Sequence, residues 1–266
     1  MPKKLVIAEK PSVARDIAKA LGGFTARGKV FESDEYVVCS AAGHLVELCM
    51  PEDLDKKKYG FWRLDALPIL PPSFPLKAST DSDPKGRFRK KKTDDDEDEG
   101  GSELLDIIEK EAKRKDIDGL INACDAGREG ELIFTYIVKH LGIDKPTQRL
   151  WLQSMTPAAI KDGFRGLLDA SVKAGLADAA MCRSESDWLV GINATRAFTV
   201  RLFGRAGKQT ANLGRVQTPT LALLVNREKE IQDFKPRPYW TAKGIFGIEG
   251  DTYEGMWIRE DFKKSD

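Results

Sequence analysis

Leu5-Val6-Ile7-Ala8 is a continuous apolar run, the mark of a short strand buried on both faces. Glu9-Lys10-Pro11-Ser12 ends it, and Val13, Ile17 and Leu21 then recur every fourth residue. That spacing predicts a helix, capped by Ser12 or the turn before it and stopped by Gly22-Gly23. Tyr36-Val37-Val38-Cys39 predicts a second strand, running on into Ala42-Gly43-His44-Leu45. Leu104, Leu105, Ile107 and Ile108 predict a helix near 103–113, and residues 119–124 read as another buried strand. This strand ends in Asp125-Ala126-Gly127-Arg128-Glu129-Gly130-Glu131. Leu132, Ile133, Tyr136, Ile137 and Leu141 mark the following helix, Gly142 closes it, and residues 148–152 suggest a further strand. Strands and helices alternating in this way predict an α/β fold around a parallel sheet.

Two stretches interrupt the pattern. Residues 56–79 are rich in proline and aromatics, which favours extended, irregular chain. Residues 81–102 join a basic block to an acidic one with almost nothing to bury, the composition of a disordered surface insertion. Beyond Thr156-Pro157 the pattern is helical to about residue 210, with Pro157 at a helix start and Trp188, Ile192 and Phe198 as core candidates. Leu213-Gly214-Arg215-Val216-Gln217-Thr218-Pro219 opens another helix through Glu230, and residues 239–248 alternate like a strand.

Composition narrows the class. With 41% hydrophobic and 32% charged residues, the 266-residue chain reads as globular, large enough for one big domain or two smaller ones. No apolar run approaches the ~18 residues that span a bilayer, so no membrane role is expected and the cytoplasm is the expected location. Four scattered cysteines and two histidines argue against a zinc site or a disulfide framework. The net charge of +1 is uninformative, but its distribution is not. Arg183, Arg196, Arg201, Arg205, Lys208 and Arg215 face only Glu185 and Asp187 in one block, enough for a phosphate-facing surface. A solvated helix face gives the same count.

The chemistry concentrates at two strand ends. Glu9 follows the first strand, and Asp125, Glu129 and Glu131 follow the 119–124 strand. In an open α/β sheet, ligands sit beyond the carboxyl ends of the strands. The loop matches neither the Walker pattern nor Gly-x-Gly-x-x-Gly, and its carboxylates repel phosphate unless a cation intervenes. Hard oxygen ligands clustered this way suit Mg²⁺ bridging to phosphate. Glu129 and Glu131 also suit a helix N-terminus electrostatically, and for Glu131 the two readings are balanced.

These residues carry a family likeness. Ile7-Ala8-Glu9-Lys10-Pro11-Ser12, Gly43-His44-Leu45 and the 125–131 loop resemble the Toprim domain of type IA DNA topoisomerases, of the topoisomerase III-like kind. Residues 187–196 (Asp-Trp-Leu-Val-Gly-Ile-Asn-Ala-Thr-Arg) resemble the helical DNA-binding region that follows it, and residues 213–219 the family's Gly-Arg-Val-Gln-Thr/Ser-Pro motif. The likeness implies a Rossmann-like parallel sheet with helices on both faces over residues 1–156. It further implies a mainly α-helical DNA-binding domain over 157–217 and the start of a β-containing domain over 218–266. The implied reaction is ATP-independent and Mg²⁺-dependent: single-stranded DNA is broken through a 5′-phosphotyrosine, passed and rejoined. Carried over, Glu9 is the acid/base group, Lys10 the stabilising cation, and Glu9, Asp125 and Glu129 the Mg²⁺ ligands. Arg183, Arg196, Arg215 and Gln217 contact DNA, while His44 and Glu131 are further candidates. A monomer is implied.

Two positions depart from the family. Many members carry Asp-x-Asp-x-Glu in the metal loop, where this chain has Gly127, one ligand fewer. The family's nucleophile lies in a Tyr-Pro-Arg-Thr-like segment, and none of Tyr36, Tyr59, Tyr136, Tyr239 and Tyr253 has that context. The expectation is therefore an N-terminal part of a topoisomerase without its tyrosine segment, with apolar surface exposed from Thr218 onward. The alternative is a non-cleaving module that binds single-stranded DNA and Mg²⁺.

Overall fold

The computed structural model describes residues 2–79, 101–204, 209–236, 238 and 240–257. It forms two units, Met1–Arg215 and Val216–Asp266. The first unit opens with β1 (Lys3–Ala8), α1 (Pro11–Leu21), the hairpin β2 (Thr25–Arg27) and β3 (Val30–Glu32), and β4 (Tyr36–Ser40). It continues through β5 (Val46–Leu48), the helical turns α2 (Pro51–Leu54) and α3 (Lys56–Tyr59), β6 (Leu76–Ala78) and α4 (Gly101–Ala112). Then come β7 (Ile117–Ala123), α5 (Arg128–Leu141), β8 (Thr147–Arg149), α6 (Pro157–Arg165), β9 (Leu168–Asp169) and α7 (Ala174–Phe203).

Seven strands make one sheet in the order β2-β3-β4-β1-β7-β8-β9. Its centre, β4-β1-β7-β8, is parallel, and antiparallel strands close both sides. Side-chain alternation divides the core between the two faces. Val6, Ala8, Val38, Ile121 and Ala123 pack against α1 and α6, through Ile17 and Ile160. Leu5, Ile7, Val37, Cys39 and Leu120 pack against α4 and α5, through Ile108 and Ile137. The residues that read as continuous apolar runs are those buried on both faces.

Several expectations change in detail. Of the two caps expected for helix α1, it is the turn before Ser12 that serves, with Lys10 at the cap position and Pro11 in the first turn. The antiparallel hairpin β2–β3 carries no apolar run and was invisible to the pattern. Helical structure is not continuous from 158, because Gly166 ends α6 and β9 pairs antiparallel with β8. Ile160 is buried against the sheet, and Phe164 meets Tyr36 edge-on at 5.2 Å, so the α/β unit runs past residue 156. Within the proline-rich stretch, Lys56–Tyr59 is helical because the Asp55 carboxylate accepts from the Lys58 amide. The charged insertion lies outside the described residues except for its end, where α4 begins at Gly101.

Helix α7 organises the rest of the first unit. Trp188 is buried, edge-on to Phe74 at 5.5 Å, with its indole N–H donating to the Cys49 carbonyl. Asn193 accepts from the Ile69 amide and donates to the Ile69 carbonyl, pinning the proline-rich segment. Thr195 and Thr199 accept the amides of Leu213 and Ala211, laying that stretch along the helix.

An ion-pair clasp holds the amino-terminal ends of the strands. Glu32 accepts from Arg114 at 2.6 Å and from Lys3 at 2.7 Å, and buried Glu111 accepts from Arg27 and Arg114. Hydrogen bonds from Arg114 first, then Lys3, hold the Glu32 carboxyl down to about 2. A carboxyl depressed on folding contributes stability that is complete above its unfolded value and lost as pH falls towards the folded one. Glu32→Gln is therefore expected to cost about 1–3 kcal/mol at pH 7 and progressively less between pH 4.5 and 2. Urea melts at pH 7 and pH 3 check this; an equal loss at both would refute it.

The second unit holds α8 (Gln217–Gln232) and the hairpin β10 (Lys243–Ile248) and β11 (Asp251–Met256), in which Phe246 stacks on Tyr253 at 5.1 Å. Its apolar side chains Leu221, Leu223, Leu224, Ile231 and Ile248 are exposed, as anticipated from Thr218 onward. Tyr239 lies outside the described residues. Among the described residues no helix is long and apolar enough to cross a membrane.

Candidate active site

The polypeptide after β1 leads into α1 on one face of the sheet, and the polypeptide after β7 leads into α5 on the other. These adjacent parallel strands thus diverge at their carboxyl ends, which opens a crevice. Register places Ala8 beside Ala123, so Glu9-Lys10 and Cys124-Asp125 emerge side by side. The Asp125 amide donates to Glu9 Oε2 at 3.3 Å. Lys10 Nζ lies 3.5 Å from Asp125 Oδ2 and 3.7 Å from Glu9 Oε1, bridging both carboxylates with one ammonium. Glu9 is largely enclosed, while Lys10 and Asp125 are more than half exposed.

The loop after β4 completes the crevice. Ala42 and Gly43 have φ of 46° and 92°, a left-handed turn that a glycine eases. The Gly43 amide donates to the Glu9 carbonyl at 3.1 Å, tying this loop to the cluster. The turn delivers His44 to Glu129, with Nε2 3.7 Å from Oε2 and both side chains about half exposed. His44 is therefore a site-facing residue, not a buried structural one.

The structure brings Glu9, Lys10 and Asp125 together, but it pairs Glu129 with His44 instead. Among the described residues no three Asp, Glu, His or Cys side chains converge to hold a metal ion. Glu131 is a correction to the candidate set. It is buried and accepts from Arg149 Nε at 2.6 Å and from Asn122 Nδ2 at 3.2 Å, so it supports the loop from below. Arg149 also donates to the carbonyls of Asn122, Cys124, Asp125 and Leu150, gathering the end of β7 around one guanidinium. Sequence reading missed this network. Its one signal was a charged residue, Arg149, directly before the apolar run 150–152.

Glycines shape the loop in two ways. A Cβ on Gly130 would stand 2.1 Å from the Asp125 carbonyl oxygen, so only glycine lets α5 start this close to the loop. Gly127 is extended and caps α5, and a Cβ there would meet open space.

The expected DNA contacts divide. Arg215 pairs with Asp187 at 3.1 Å and Arg183 lies 3.8 Å from the same carboxylate, both partly exposed on α7's flank. Arg196 is a correction: it is buried, bonded to Glu52 at 2.5 Å and to the Tyr59 carbonyl, with its guanidinium 5.3 Å from the Trp62 ring centre. Burial there leaves it no face for phosphate; it fastens α2 and α3 to α7. Arg201 is exposed, and Arg205 and Lys208 lie outside the described residues. Gln217 is exposed at the start of α8 in the second unit.

Residues 4–155 match the family model described as the Toprim domain, and residues 171–266 match the one described as DNA topoisomerase. The chain belongs to the type IA DNA topoisomerase family. It is 42% identical over 265 residues to DNA topoisomerase 3 of Bacillus licheniformis, covering 100% of this chain and 32% of that protein. With DNA topoisomerase 3 of Bacillus subtilis the identity is 39% over 265 residues, at the same coverage. The solved full-length topoisomerase I of Thermotoga maritima shares the fold, with a TM-score of 0.57 and 22% identity over 94% of this chain and 34% of that one. The chain thus spans about a third of the length of the curated relatives it matches.

Proposed function

We propose that this chain supplies the acid/base, phosphate-binding and metal-binding groups of an ATP-independent type IA topoisomerase reaction on single-stranded DNA. The observation that carries this reading is the Lys10 ammonium held between Glu9 and Asp125 at the sheet's divergence point. A phosphodiester entering the crevice meets Lys10 first, and the ammonium balances charge that develops on its oxygens. Glu9, enclosed beside it, is placed to give or take the proton of the sugar hydroxyl formed at a break. Arg183 and Arg215 hold the flanking backbone.

The donor set fits Mg²⁺ on the chemistry of its ligands. Glu9 and Asp125 lie side by side, and Mg²⁺ is commonly bound by one or two carboxylates together with substrate phosphate. When bound, the ion supplies positive charge that screens these carboxylates from the DNA. Glu129 adds a ligand where it leaves His44. Because a side chain at Gly127 would meet open space, Gly127→Asp is expected to tighten Mg²⁺ binding about tenfold, ~1.4 kcal/mol, by calorimetry. Unchanged affinity would show that position 127 faces away from the ion.

The reading is tested with a labelled single-stranded oligonucleotide, following binding and covalent capture with and without Mg²⁺. Binding is expected to weaken about tenfold in Lys10→Ala and in Arg215→Ala, ~1.4 kcal/mol each. Indifference to both substitutions and to Mg²⁺ would overturn the assignment. Binding without an adduct supports the module reading for this chain, and a 5′-phosphotyrosyl adduct identifies a nucleophile among its own tyrosines.

A further inference from the structure

The segment that Arg196 fastens to α7 carries a cleft of about 250 Å³ that the proposed chemistry leaves unused. Lys57 and Lys58 of α3 line it, with Phe61, Trp62 and Arg63 just beyond, and none of these belongs to the Lys10 crevice. Residues 51–66 hold four basic and four acidic side chains, yet the cleft is one-sided in charge. Every carboxylate is committed: Glu52 to Arg196, Asp53 to Lys77, Asp55 to the Lys58 amide and Asp65 to Arg63. Among the described residues, the ammonium groups of Lys57 and Lys58 have no carboxylate within ion-pair distance. Lys58 lies instead 5.0 Å from the Tyr59 ring centre. Phe61 is 81% exposed, while Trp62 is held from within, its ring centre 5.3 Å from the Arg196 guanidinium.

A single exposed phenylalanine needs no explanation. Here it shares one concavity with an anchored indole and unpaired cations, and the two kinds of group ask for different halves of one ligand. Lysine ammoniums are point charges that suit phosphate, and aromatic faces take a base by stacking. A bare anion would leave the rings idle, and an uncharged ring would leave the ammoniums idle. The cleft is a little smaller than the roughly 300–1,000 Å³ usual for ligand sites, so a ring is seated and its phosphate stays at the rim. We propose that this cleft binds one nucleotide unit, its base on Phe61 and Trp62 and its phosphate on Lys57, Lys58 and Arg63. Arg63 leaves Asp65 to do so, an exposed pair that contributes little. The site goes beyond the reading at Lys10 and does not depend on it. Its ligand chemistry is shared by a free mononucleotide and by one residue of a DNA strand lying away from the crevice.

The test measures binding of adenosine monophosphate, adenosine, inorganic phosphate and single-stranded oligonucleotides to the full chain. The varied side chains are exposed, so folding is not at stake. Phe61→Ala is expected to weaken nucleotide binding about fivefold or more, within the range that stacking of one base supplies, and Phe61→Tyr to retain it. Lys57→Gln combined with Lys58→Gln should weaken it similarly and flatten its salt dependence. Adenosine and inorganic phosphate should each bind the unaltered chain about tenfold more weakly than the monophosphate. If Phe61→Ala lowers oligonucleotide affinity, the ligand is a residue of the strand; if the loss is confined to the monophosphate, it is a free nucleotide. Phosphate binding as well as the monophosphate, with Phe61→Ala silent, would reduce the cleft to an unspecific anionic contact and overturn the proposal. Indifference of every ligand to both sets of variants would overturn it too. Lys10→Ala reads the crevice separately, so either failure leaves that assignment standing.

Discussion

Arg149→Met is expected to lower the unfolding free energy by about 3–5 kcal/mol, a larger loss than any surface change in the crevice would cause. The guanidinium is almost wholly enclosed and is the ion partner of Glu131, itself buried. Removing it leaves that carboxylate uncompensated and takes donors from the Cys124 and Asp125 carbonyls. An uncompensated buried charge costs far more than the pair contributes, so the effect should depend on Glu131. Arg149→Met combined with Glu131→Leu should recover much of the loss. Denaturant melts of the two single variants and the double variant decide the matter. If Arg149→Met costs under 1 kcal/mol, or the second substitution restores nothing, the network does not support the loop.

Gly130→Ala is expected to combine destabilisation with a loss at the crevice. Helix propensity alone would favour alanine by about 1 kcal/mol. Against this, the new methyl would overlap the Asp125 carbonyl, whose oxygen stands 2.1 Å from the Cβ position. Overpacking of a fixed backbone costs about 1–3 kcal/mol, so the clash should win and push the 125–127 loop outward. Asp125 moves with that loop and loses its place beside Lys10. Oligonucleotide affinity should fall about tenfold alongside the drop in melting temperature. A variant more stable than its parent, with unchanged affinity, would show that the loop yields without consequence.

The sequence exposed the parts of this fold that follow from burial on both faces. Runs such as Leu5 to Ala8 and residues 119–124 have no polar alternation because α1 and α6 cover one face, and α4 and α5 the other. Carboxylates immediately after such runs are easy to see, so Glu9, Lys10 and Asp125 were legible together. Short antiparallel strands were not. The β2–β3 hairpin and β9 take their structure from pairing with neighbours, not from apolar content of their own. Charged residues misled in the opposite direction. Arg196 read as a DNA contact, and Glu131 as an even choice between a site carboxylate and a helix-start charge, yet each is buried against a partner supplied by another element, Glu52 and Arg149 respectively. A linear pattern carries no record of such pairings. His44 was ambiguous for the same reason, since its neighbour Glu129 is supplied by α5.

The two outermost strands of the large sheet are only three and two residues long. All three residues of β2 are exposed, and its last, Arg27, is drawn into the clasp on Glu111 and Glu32. A foreign strand approaching either side thus finds few free amide and carbonyl groups, and on one side a fixed charge. The parallel centre, rich in the β-branched residues that favour fibrils, is fenced from growth by addition. The fold can keep a strongly apolar sheet beside a charged crevice without offering it as a template for its own aggregation.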